Sequence, residues 1–70
     1  MRRQKIYKFV CDVSNRERIF LFVYYQPAYD VRSAFRLMKE QLRNYYGWKF
    51  IYMHYWFRLD IPDFVHYKIY

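Results

Sequence analysis

The chain opens with an alternation of two. From Lys5 to Val13, Tyr7, Phe9, Cys11 and Val13 fall on one side, and Ile6, Lys8, Val10 and Asp12 on the other. That period predicts a β-strand. Ser14-Asn15-Arg16-Glu17 is a polar link whose Ser and Asn favour turns through local hydrogen bonds to the backbone. Arg18 to Tyr25 then reads as a second strand, dense in β-branched and aromatic residues. So short a link makes an antiparallel hairpin the expected arrangement.

The period changes after Gln26-Pro27-Ala28-Tyr29, where Pro27 cannot donate to a ladder. Asp30 is placed to cap a helix, its carboxylate accepting an amide proton from the first turn. Val31, Ala34, Phe35, Met38, Leu42 and Tyr45 then recur near every 3.6 residues and predict an amphipathic helix. Gly47 can take the left-handed conformation that ends it. Trp48 to Asp60 returns to a period of two. After Pro62, a short fourth strand over Phe64 to Tyr70 is expected at an edge or as a β arm. The pattern predicts one α+β domain over residues 1–70, a small antiparallel sheet with one helix on one face, in the order β-β-α-β(-β).

Each strand is apolar on both sides, which is unusual for a sheet with one helix. The helix stripe suits Tyr7, Phe9, Cys11 and Val13, then Ile19, Leu21 and Val23, then Ile51, Met53, Tyr55, Phe57 and Leu59. The other face would carry Ile6, Lys8, Val10, Arg18, Phe20, Phe22, Tyr24, Phe50, Tyr52, His54, Trp56 and Arg58. An antiparallel sheet can leave one face to water, but such a face ordinarily alternates to polar residues. A bulge would move part of a strand from one face to the other.

Composition and charge sharpen this picture. Of 70 residues, 27% are aromatic, ten of them tyrosine, and thirteen Lys and Arg outnumber six Asp and Glu for a formal charge of +7. A strong positive balance attracts polyanions. A domain of this size buries only about 60% of the surface that its unfolded chain exposes, so a partner would help it. Cys11 is the only cysteine, so no disulfide forms within the monomer. The longest apolar run, Ile19 to Tyr25, is far shorter than the roughly 20 residues of a membrane-spanning helix. Lys5, Lys8 and Asp12 interrupt any secretory h-region. These features predict a soluble cytoplasmic chain.

Three groups of residues could carry a function. Arg32, Arg36, Lys39 and Arg43 recur at helical spacing along one flank, where a polyanion would relieve their mutual repulsion. Arg2, Arg3 and Lys5 could grip phosphates as a short arm, and Lys8 could hold phosphates beside the aromatic sheet face. Phe20, Phe22, Phe50, Tyr52, His54, Trp56 and Arg58 could stack unpaired bases, or be covered by a protein partner such as a second copy of the chain. Solvated basic surface is the plainer reading of the first two groups.

Catalysis is not expected. The acids are Asp12, Glu17, Asp30, Glu40, Asp60 and Asp63, without a metal-ligand or acid-base pattern, and His54 and His66 have no ligand spacing with Cys11. Gly47 is the only glycine, so no phosphate-cradling loop exists. A pocket of about 300 Å³ is hard to build in so short a chain, so neither a cofactor nor a small-molecule substrate is expected. The sequence thus predicts a non-catalytic module that binds DNA or RNA mainly through phosphates. The alternative is a protein-interaction module that uses its aromatic sheet face to form a homodimer or dock on another protein.

Overall fold

A computed structural model of the chain describes residues 4–59. It contains strands β1 (Lys5–Ser14) and β2 (Ile19–Ala28), helix α1 (Val31–Gln41) running into a π-helical turn (Leu42–Tyr46), and strand β3 (Lys49–Arg58). The sheet is antiparallel in the order β2-β1-β3. This is the α+β arrangement that the pattern predicts, with the helix between β2 and β3. The fourth strand expected over residues 64–70 lies outside the described residues, as do Arg2 and Arg3.

The hairpin forms because Asn15 closes its turn. Its Oδ1 accepts the amides of Glu17 and Arg18 at 3.1 Å each, and its own amide donates to the Arg18 carbonyl at 3.2 Å. Ser14 then stands opposite Ile19, and every odd-numbered residue of β1 stands opposite an even-numbered residue of β2. Phe9 meets Tyr24, Cys11 meets Phe22, and Val13 meets Phe20.

That register corrects the expected faces of β2. Phe20, Phe22 and Tyr24 lie under the helix, partly buried against the core, while Ile19, Leu21 and Val23 are exposed on the other side. Strand β3 is corrected for a different reason. Its pairing with β1 slips between Val10 and Cys11 and again between Asp12 and Val13. Each slip inserts one extra residue and moves the following side chains to the opposite face. Phe50, Met53 and Trp56 consequently share the helix side at a spacing of three, and Arg58 stands there too, opposite Tyr7. Phe50, Trp56 and Arg58 were expected on the open face.

Tyr7, Phe9, Cys11, Val13, Ala28, Ala34, Met38, Leu42, Met53 and Trp56 make the core. Asp30 caps α1 as predicted, its Oδ1 accepting the Ser33 amide at 2.7 Å. At the other end, Gly47 adopts φ 70°, and the amides of Gly47 and Trp48 both donate to the Leu42 carbonyl. The wider i→i+5 turn that precedes it ends the α-helical periodicity. Tyr45, expected on the buried stripe, is therefore 81% exposed, and Tyr46 stacks on Trp48 at 4.6 Å.

Removing the cap tests how far α1 depends on it. Asp30→Ala should lower stability by about 1 kcal/mol in urea unfolding, within the range of lost N-caps. No change in the unfolding midpoint would mean that another group satisfies the first turn.

Candidate nucleic-acid interface

Helix α1 packs chiefly on β2 and β1, which leaves its basic flank beside β3, an edge strand among the described residues. Between them runs a trough. One part, about 470 Å³, is lined by Arg36, Lys39, Glu40 and Arg43 from the helical side and by Trp48, Lys49 and Phe50 from the strand side. A second hollow of about 380 Å³ adjoins it, lined by Arg32, Phe35, Arg36 and Lys39. Arg36 and Lys39 line both hollows.

The aromatic residues give the trough its shape. Phe35 meets Phe9 at 6.0 Å and Phe50 edge-on at 5.1 Å, which ties the helix to the strand at the floor. Trp48 is held by Phe20 at 5.0 Å and Phe22 at 5.7 Å, both edge-on, with the Tyr46 ring stacked over it. Lys39 Nζ lies over the Phe35 ring, 4.5 Å from its centre, a cation–π contact made by an exposed side chain. Arg18 sits over Phe20 at 5.7 Å and adds a cation at the end of the cluster.

Four cations, Arg36, Lys39, Arg43 and Lys49, thus surround one groove that holds a single carboxylate, Glu40. No ion pair joins any of the four to a described carboxylate. Lys49 belongs to this group although its place in the sequence does not single it out; the nearest signal is its position two residues after the helix-ending Gly47. Tyr46, stacked on Trp48, was also absent from the expected set.

The remaining candidates are scattered. Lys5 begins β1 opposite Ala28. Lys8 points away from the helix, its Nζ 5.7 Å from the Tyr25 ring centre and 5.3 Å from that of Phe57. Tyr52 and His54 lie on that open side, with their rings 5.2 Å apart and His54 Nε2 2.8 Å from Asp12 Oδ1. The expected stacking platform is therefore divided: Phe20, Phe22, Phe50 and Trp56 serve the core and the trough, while Tyr52 and His54 face the other way.

Cys11 has no exposed surface, and burial, followed by the neighbouring Asp12 charge, pushes its thiol up to about 12. Burial raises the Tyr24 hydroxyl as well, with the Tyr46 hydroxyl contributing less. Among the described residues no group of three His, Cys, Asp or Glu side chains is arranged to hold a metal ion. No helix among them is long and apolar enough to cross a membrane. No protein-family model, curated protein or solved structure matches the chain.

The buried thiol provides a direct check of the core. Because the thiolate is the reactive form, Cys11 in the folded protein should react with a thiol reagent at pH 8 only as fast as the domain opens, and at full speed in denaturant. Rapid labelling under native conditions would contradict its burial.

Proposed function

We propose that this protein is a small, non-catalytic binding module that holds nucleic acid by its phosphates in the trough between α1 and β3. The observation that carries this reading is the convergence of Arg36, Lys39, Arg43 and Lys49 on one groove with aromatic walls. From Arg32 to Arg43 the helical side advances about 16 Å at 1.5 Å per residue. That is room for several successive phosphates, which Arg and Lys would contact without reading sequence. Trp48 and Phe50 in the groove wall offer ring surface to unpaired bases. A single strand of DNA or RNA suits such a groove better than a rigid duplex, which would meet only its rim.

Salt is the most informative variable. Four phosphate contacts with a single strand give a slope of about −3 in log K against log salt. Fluorescence anisotropy with a labelled single-stranded oligonucleotide should find that slope, together with weaker binding to duplex. Arg36→Glu with Arg43→Glu should weaken binding more than tenfold at low salt. Lys8→Glu, on the other face of the sheet, should change it by less than about threefold, the residue of its effect on net charge. No binding at low salt, or equal loss from both sets of substitutions, would overturn the assignment.

A second reading, a protein-interaction module, is favoured by the exposed Ile19, Leu21 and Val23 on the open face. The two readings use opposite sides of the sheet and are compatible.

A further inference from the structure

The open face of the sheet is organised in rows across the three strands. In the central row, Val10 of β1 stands between Val23 and Tyr55. Val10 is 5% exposed although it points away from the helix, because its neighbours close over it. On one side of this apolar row lies a cationic one, Tyr25, Lys8 and Phe57, with the Lys8 ammonium set between the two rings. On the other side lies an anionic row, Leu21, Asp12 and Tyr52, with His54 bound to the Asp12 carboxylate. Leu21 is 60% exposed, and Tyr25 and Tyr52 about half.

We infer that this face is the interface of a homodimer. The two sheets stack face to face about a two-fold axis that passes over Val10 and runs across the strands. Lys8 of each copy then meets the partner's Asp12. This inference goes beyond nucleic-acid binding and uses the opposite side of the molecule.

The charge pattern selects both the occupant and its orientation. Lys8 and Asp12 lie two residues either side of Val10 on the same strand and face. A two-fold axis across the strands reverses the strand direction, so it exchanges the cationic and anionic rows and makes two ion pairs at once. A two-fold axis along the strands would set Lys8 on the partner's Lys8 and Asp12 on the partner's Asp12, which like-charge repulsion disfavours. The surface is thus complementary to itself in one of its two simple stackings, as an isologous interface requires.

The dimensions agree. Stacked sheets lie about 10 Å apart, a separation that a lysine reaching toward a carboxylate can span. Aligned sheets cross at about 30°. At two residues, or about 6.6 Å, from the axis, that crossing displaces the facing charges by only about 3 Å, within the reach of a lysine side chain. Three strands of ten residues outline roughly 500 Å² per copy, so the pair buries on the order of 1,000 Å², at the lower bound for a specific interface. The expected dimer is therefore weak, of the transient kind found near that bound. Ile19, Leu21, Val23, Tyr25 and Tyr52 would lose their exposure in it.

Analytical ultracentrifugation across a concentration series tests this without nucleic acid. The native chain should pass from monomer to dimer between about 1 µM and 1 mM. Lys8→Asp alone and Asp12→Lys alone should each weaken the dimer more than tenfold, because each sets like charges against one another across the two-fold axis. Mixing those two variants should restore dimerisation, since the two acidic groups of one copy then meet the two basic groups of the other; the mixture also reports that both have folded. Leu21→Lys, at an exposed site, should yield a folded monomer by circular dichroism. A native monomer at every concentration, or single charge variants that dimerise as well as the native chain, would overturn the interface. Failure of the mixture to associate would overturn the Lys8–Asp12 pairing.

Discussion

The Asn15 side chain, by accepting the Glu17 and Arg18 amides, closes a four-residue turn that sets Ser14 opposite Ile19. Much else depends on that register. A strand has a period of two, so a shift of one residue would exchange the two faces of β2. With the turn as it is, Phe20, Phe22 and Tyr24 turn toward α1 and form the shelf that holds Trp48. The turn tolerates some strain for this: Arg16 has φ 87°, a left-handed conformation that costs a side-chain-bearing residue about 1–2 kcal/mol.

Strand β3 and the end of the helix adapt to the shelf. Two bulges bring Phe50, Met53 and Trp56 to the helix side at intervals that a regular strand cannot supply. The π turn carries Tyr46 over Trp48 and turns Tyr45 outward. Between the helix seated on β1 and β2 and the bulged β3 lies a gap with aromatic walls, and the basic flank of α1 borders it. The trough is thus a consequence of how large side chains were accommodated. Its positive charge comes from the helical periodicity of Arg32, Arg36, Lys39 and Arg43, with Lys49 closing the far side.

The elements themselves were legible in the sequence, because each rests on local chemistry: alternation for the strands, the 3.6-residue stripe and Asp30 for the helix, Gly47 for its end. The presence of apolar residues on both sheet faces was legible for the same reason. Which residues occupy which face was not, since it depends on the number of residues that the turn consumes. An even count pairs odd with even positions, and the expected assignment of Ile19, Leu21 and Val23 to the core paired odd with odd. The bulges at β3 leave no local mark, because Ile51 and His54 are ordinary strand residues. Of the candidate site, the helix stripe was visible as periodicity. The contribution of Lys49 and Trp48 required knowing that α1 leaves the edge of the sheet beside its basic flank.

The molecule that results has two unlike surfaces, a basic trough on the helix side and a mostly apolar sheet face with one lysine and one aspartate about its centre. Both follow from the parity of the β1–β2 register. A two-dimensional NOE spectrum tests that parity most directly. Cross-peaks are expected from the Phe22 ring to Tyr46 and Trp48, whose ring centres lie 5.8 and 5.7 Å away, and none from the Leu21 methyls to α1. Cross-peaks from Leu21 or Val23 to Met38 or Leu42, with Phe22 free of the helix, would contradict that parity.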